Sequence, residues 1–272
     1  MIQHSAICIP IRLRSFIRRI WTLDPDRPEL FPGHFSIYAD GFPGIIFQQS
    51  ESDLILNGGK KLPGIFLFGQ TVQPISMATA GRLKMIVVCF HPHVLFSIFR
   101  FNARAITDDC LDLGLLPPVP AINLKDQLCN AVSVEKQVSI LFDYMEQIII
   151  RNRSTVDAGM AYATSQLLQH NRALPLKELQ RVLNLSERTF QRKFEQHIGV
   201  SPQLFSKISQ FQAALSQLRS GRFNKLSDIA YDNGFSDQSH FIRHFSKFTG
   251  LSPLELKKQT ENIHGDFPGL VG

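Results

Sequence analysis

The segment from residue 175 to residue 253 contains an internal duplication, and no other feature constrains the fold as strongly. Leu176-Lys177-Glu178-Leu179 corresponds to Leu226-Ser227-Asp228-Ile229 at an offset of 50 residues. Phe190-Gln191-Arg192-Lys193-Phe194 corresponds to Phe241-Ile242-Arg243-His244-Phe245, and Gly199-Val200-Ser201-Pro202 to Gly250-Leu251-Ser252-Pro253, both at an offset of 51. One residue inserted in the turn of the second copy accounts for the change.

Each copy reads as helix, turn, helix. In the first, Leu179, Val182 and Leu183 are expected to face inward, and Asn184-Leu185-Ser186 to form the turn. Ser186 is a good N-cap, because its hydroxyl can accept from an orphan amide of the next helix. That helix is expected to bury Phe190, Phe194 and Ile198, at i, i+4 and i+8. Its opposite side then carries Arg188, Gln191, Arg192 and Glu195. In the second copy Ile229 and Ala230 precede an Asn233-Gly234-Phe235 turn, with Asp237 as cap. Its second helix is expected to bury Phe241, Phe245 and Phe248 and to leave Ser239, His240, Arg243 and Lys247 outside. After each unit, Ser caps a new helix and Pro takes its first position, where a missing N–H costs nothing. The helix from Pro202 to Arg219, stopped by Gly221, joins the two units.

Charge points the same way. Residues 154–260 carry 14 Lys+Arg against 8 Asp+Glu, a net +6, which equals the formal charge of the whole chain. A short helix with a buried aromatic edge and an Arg/Gln outer face suits the DNA major groove, where Arg pairs with guanine and Gln with adenine. Two such helices on one chain can enter successive major grooves about 34 Å apart on one face of the duplex. Lys193, Lys207, Lys225 and Lys247, with helix N-terminal amides, are placed to hold phosphates, which orient a protein without specifying sequence.

The two motifs, NLSERTFQRKFEQHIGVSP and IAYDNGFSDQSHFIRHFSKFTGLSP, resemble those of the AraC/XylS family of bacterial transcription regulators, over about residues 155–258. The resemblance implies a seven-helix DNA-binding domain and a transcription regulator, an activator by expectation, with double-stranded DNA and RNA polymerase as partners. It places base-reading positions on Arg188, Gln191 and Arg192 in the first unit, and on Ser239, His240 and Arg243 in the second. Phosphate contacts are expected from Ser186, Thr189, Lys193, Lys207, Lys225, Gln238 and Lys247. Two positions depart from the family pattern. Gln180 stands where a small Ala is usual, which bears on packing in unit one. Gln210 stands where the joining helix usually carries Arg, removing a charge that would help lock the units.

The first hundred residues read as strand. Gly44–Gln48, Gly64–Phe68 and Leu83–Phe90 are short apolar runs bounded by turn signals such as Gly41-Phe42-Pro43-Gly44 and Asn57-Gly58-Gly59. A helix is expected from about Val94 to Phe101. Leu116-Pro117-Pro118-Val119-Pro120 is a stiff break. Beyond it Leu128, Val132, Val138, Leu141, Met145, Ile148 and Ile149 follow a helical period, with the second helix ending near Arg151. Ser154-Thr155-Val156-Asp157 then caps a helix running to about Gln169. Leu13-Arg14-Ser15-Phe16, Ile20-Trp21-Thr22-Leu23, Phe68-Gly69-Gln70 and Cys89-Phe90-His91-Pro92 resemble an uncharacterised sensor-like domain found ahead of such DNA-binding modules. In the wider family such domains bind a small effector, dimerise, or both.

The expected fold class is therefore α+β. Residues 1–115 form a regulatory β barrel or sandwich with flanking helices, and 116–153 a linker and helical segment, with helix 134–151 a candidate dimer interface. Residues 154–260 form an all-α double helix-turn-helix domain, and 261–272 a tail. An alternative reading makes the N-terminal barrel a metal-binding or enzymatic unit fused to a DNA-binding tail. His91 and His93 would be its test positions, since alternate strand residues share a face. The bland reading, that they mark a strand end with no metal, is preferred. The chain shows no GxSxG, P-loop, GxGxxG after a strand or HExxH, so no catalytic residue and no cofactor is assigned and an enzyme is not expected. Cys8, Cys89, Cys110 and Cys129 stand far apart without a CxxC pair, which fits a reducing cytoplasm. The start MIQHSAICIPIRLRSFIRR has its basic residues after the apolar stretch, the reverse of a signal peptide. The most apolar window, Leu83–Phe99, is broken by Lys84, His91, Pro92 and His93, so no membrane span is expected.

Overall fold

A computed structural model describes residues 7–23, 34–56, 59–116, 123–169, 176–261 and 270–271. The proline break at 117–120, the Asn57-Gly58 part of one turn signal and most of the expected tail lie outside the described residues.

The strand expectations hold. β1 (Ile17–Leu23), β2 (His34–Ile37), β3 (Gly44–Ser50), β4 (Ile55–Leu56), β5 (Ile65–Phe68), β6 (Ile75–Ala78), β7 (Leu83–Phe90), β8 (Cys110–Asp112) and β9 (Leu270–Val271) form two sheets. The first has the order β1-β7-β3-β5-β8 and the second β4-β6-β2-β9, with every ladder antiparallel. The sheets face one another and do not close into a barrel. Trp21, Phe35, Ile46, Phe66, Met77 and Val87 fill the space between them.

The other face of the five-stranded sheet is also covered. Ile45, Phe47, Ile65, Leu67, Ile86 and Val88 pack against α1 (Leu95–Phe99), α2 (Leu124–Asn130) and α3 (Val134–Arg151). Burial on both faces explains why β7 reads as a nearly unbroken apolar run, LKMIVVCF, instead of alternating. The same packing uses the apolar stripe of α3. Val138, Leu141, Tyr144, Met145 and Ile148 are buried against the sheet, so the apolar stripe of the helix that is a candidate dimer interface is covered within the chain. Val132 is not part of that stripe. It lies between α2 and α3 and is 96% exposed.

The C-terminal half is helical: α4 (Ala158–Gln169), α5 (Leu176–Val182), α6 (Glu187–Ile198), α7 (Pro202–Ser220), α8 (Leu226–Asp232), α9 (Gln238–Thr249) and α10 (Pro253–Glu261). These are the seven helices that the resemblance implies. Asp157 caps α4 by accepting from the Met160 amide at 2.9 Å. Two cores form, one per unit. Leu179, Phe190, Phe194 and Ile198 pack with Met160, Ala163 and Leu167 of α4 and with Phe205 of α7. Ile229, Phe241, Phe245 and Phe248 pack with Ile208, Phe211 and Leu215 of α7. The joining helix thus lends its first turns to unit one and its remainder to unit two.

Candidate nucleic-acid interface

The duplicated turns are alike in backbone detail. Leu185 N–H donates to the Gln180 carbonyl, and Phe235 N–H to that of Ala230; Asn184 N–H donates to Arg181, and Gly234 N–H to Tyr231. Asn184 and Gly234 both take the left-handed conformation, at φ 51° and 75°, which Gly and Asn tolerate best. All these pairs keep the offset of 50. The caps that follow, Ser186 and Asp237, are 51 apart. The extra residue is therefore Ser236, placed between the turn and the second helix. Ser186 Oγ accepts from the Thr189 amide at 3.3 Å and Asp237 Oδ1 from the His240 amide at 2.7 Å. Gly199 and Gly250 end the two helices at φ 98° and 74°. The helices that follow start alike, since Ser201 Oγ accepts from Leu204 N–H and Ser252 Oγ from Glu255 N–H.

One expectation in unit one fails. Val182 is 48% exposed, and Leu179 alone among the described residues of α5 is fully buried. A seven-residue helix has room for one inward apolar row, and Leu179 occupies it. The two departures from the family pattern are accommodated. Gln180 is only partly buried where Ala230 is fully buried, so its longer side chain has an outlet. Gln210 donates to the Asn233 carbonyl at 2.8 Å, which ties the joining helix to unit two without a charge.

The candidate base-reading residues divide by exposure. Arg188 and Arg192 are exposed on α6 with Gln191 partly buried between them. On α9, Ser239 and Arg243 are exposed, while His240 is held by its own unit. His240 Nδ1 lies 3.1 Å from Ser236 Oγ, and its ring meets Phe235 and His244 edge-on. Of the candidate phosphate contacts, Lys207, Lys225, Gln238 and Lys247 are exposed, and Ser186 and Thr189 sit at the first turn of α6. Lys193 is engaged elsewhere: its Nζ is 2.7 Å from Asp157 Oδ2 at the start of α4. α7, with 19 residues, is about 28 Å long at 1.5 Å per residue.

A family model described as a helix-turn-helix domain matches residues 179–259, and another, described as a domain of unknown function (DUF6597), matches residues 10–112. The transcriptional activator RhaS of Escherichia coli O139:H28 is 35% identical over 75 residues, covering 28% of this chain and 27% of that protein. An uncharacterized HTH-type transcriptional regulator of Haemophilus influenzae is 24% identical over 154 residues, covering 52% of this chain and 51% of the relative. The crystal structure of unsaturated-fatty-acid-bound ToxT from Vibrio cholerae strain SCE256 shares the fold, with a TM-score of 0.50 at 15% identity, over 93% of this chain and 98% of that one. Residues 179–259 are an AraC-type helix-turn-helix domain. The chain spans about half the length of the Haemophilus relative and less of the RhaS proteins it matches.

What the resemblance to AraC/XylS proteins did not reveal is how the N-terminal half meets α6. His93 follows β7 in a turn and is buried; its Nδ1 is 3.2 Å from Thr164 Oγ1 of α4. The His197 ring, on the inner side of α6, packs 4.7 Å from that of Phe96 on α1. The turn after α1 carries Arg104, 3.4 Å from Glu195 of α6, and Thr107 Oγ1 donates to the Gly199 carbonyl at 2.8 Å. The partners in these pairs stand between 71 and 101 residues apart in sequence, so no local pattern signals them. His91 and His93 stack on one another, at 5.7 Å between ring centroids. Among the described residues no group of three or more His, Cys, Asp or Glu is placed to hold a metal ion.

Burial pushes the His93 imidazole down to about 4, helped by the nearby His91 and His197 rings and opposed by Asp157. Unfolded, it would titrate near 6.5. The unfolded chain therefore binds the extra proton first, and acidification from pH 6.5 to 4 should destabilise the fold. Asp40 works the other way over pH 3.8 to 6, because burial raises it to about 6 despite its ion pair with Arg19. Substituting His93→Gln should flatten the fall in unfolding midpoint between pH 6.5 and 4 relative to the unaltered chain. Identical slopes for the two proteins would show that His93 is not the group responsible.

Proposed function

We propose that this chain is a sequence-specific DNA-binding transcription regulator that reads an asymmetric site of about two helical turns through α6 and α9. The observation that carries this reading is the duplication. Two units with the same turn, cap and C-terminal glycine hold Arg188 and Arg192 on one helix, and Ser239 and Arg243 on the other, exposed to solvent. A core requires no exposed arginines at matched positions, whereas major-groove recognition uses them to pair with guanine. Action as an activator, contact with RNA polymerase, homodimer formation and residence in the cytoplasm complete the proposal. The named RhaS relatives, which are transcriptional activators, support the first. No helix among the described residues is long and apolar enough to cross a membrane.

The N-terminal sandwich is proposed to act as a small-molecule sensor. Its support is the ToxT structure of the same fold, which holds an unsaturated fatty acid. A ligand would shift DNA affinity only by binding two conformations of the chain differently.

Selection of random duplex oligonucleotides by the purified chain tests the reading. A single enriched motif at moderate ionic strength is expected, with binding to it falling steeply as salt rises. Recovery of unenriched sequence would remove the proposal.

A further inference from the structure

The reading face of α6 does not stand alone. An open groove of about 590 Å³ runs beside it, with Asn102 and Arg104 of the N-terminal half on one wall and Arg188, Gln191, Arg192 and Glu195 on the other. Three guanidinium groups thus border one groove, and Glu195, the carboxylate among these lining residues, is paired with Arg104 at 3.4 Å.

Arg104 is also fixed relative to α6. Asn102 Oδ1 accepts from the Arg104 amide at 3.0 Å and so caps the turn that presents it. Three residues on, Thr107 donates to the carbonyl of Gly199, the C-terminal cap of α6. The turn packs there so closely that a Cβ on Gly199 would lie 2.9 Å from Thr107 Oγ1 and 3.1 Å from the Ala103 carbonyl oxygen. Phe96 on His197 adds an apolar contact one element earlier. The turn and α6 therefore move as one piece. A helix seated in a major groove is flanked on both sides by phosphate backbone. Seated in that way, α6 would bring the wall that carries Arg104 to one of those sides.

We propose that Arg104, although it belongs to the N-terminal half, is part of the DNA interface: it contacts the phosphate backbone beside the first reading helix and masks Glu195 from it. The proposal rests on the DNA-binding reading above. It makes the sensor-like half a structural partner in docking, with no part in base choice, because phosphate contacts position a protein and base contacts specify the sequence.

The test uses the full chain on its selected duplex, with affinity measured across a range of salt. Arg104→Ala should weaken binding and make the slope of log affinity against log salt shallower by about 0.9, the value of one phosphate contact on duplex DNA. The preferred motif should not change. Arg104→Lys, which keeps the charge, should restore the slope. The Arg104 side chain is 72% exposed, so the thermal midpoint should stay that of the unaltered protein. An unchanged slope in Arg104→Ala, while the unaltered chain binds its motif, would overturn this assignment alone. A rise in affinity would also overturn it, since Arg104 would then be holding the reading helix away from DNA. Absence of motif binding by the unaltered chain would remove both this assignment and the functional reading beneath it.

Discussion

Phe211→Ala should lower the folding stability of the chain by about 3–5 kcal/mol, the cost of deleting a fully buried aromatic. Phe211 lies on α7 and is 1% exposed. Its ring sits 5.4 Å from that of Phe245 and 5.0 Å from that of Phe248, so it is a central contact between the joining helix and α9. The cavity cannot close easily, because Ile208, Ala214 and Leu215 on the same helix are already committed to the same core. Stability is only part of the expected result. Loosening α9 on α7 releases the geometric relation between the two units, so affinity for the selected site should fall at temperatures where the fold persists. Urea unfolding followed by circular dichroism checks the first part. A midpoint shift worth less than about 1 kcal/mol would mean that α7 does not organise unit two as described.

Arg192→Ala has the second large expected effect, a loss of about 1–3 kcal/mol on the selected site with relaxed preference at one base pair. Arg192 is exposed on the face of α6 opposite Phe190 and Phe194. Among the described residues no ion pair involving Arg192 occurs, in contrast to Lys193 with Asp157. Its removal should therefore take away the proposed contact to DNA and leave the fold intact. Binding to random duplex should weaken much less. Equal weakening on both DNAs would show that Arg192 grips backbone and reads no base.

The reading units were legible in the sequence because their determinants are local and repeated. The inward Phe spacing, the Ser and Asp caps and the terminal glycines each act over one or two helical turns. Comparing two copies within one chain even revealed an insertion, which the structure places at Ser236. The central strands β7, β3 and β5 of the five-stranded sheet were legible for a related reason: burial on both faces makes them nearly continuous apolar runs. The opposing sheet was not. β2, β4 and β6 are two to four residues long, too short for alternation to show, and they are held by pairing with one another. Val132 was misplaced because a helical period was extended across a helix end, and Val182 because the last residue of α5 turns away from the row that Leu179 occupies. The junction between the two halves escaped altogether. Arg104 and Glu195, His93 and Thr164, and Thr107 and Gly199 meet only after both halves have folded, and each partner alone looks like an ordinary surface or turn residue.

In the proposed complex α7 sets two reading helices along one side of the duplex. Hydroxyl-radical footprinting with methylation interference on the selected site measures this directly. Two blocks of major-groove interference centred about 10–10.5 base pairs apart, with backbone protection confined to one face, are the predicted result. A single block, or two blocks on opposite faces of the helix, would contradict it.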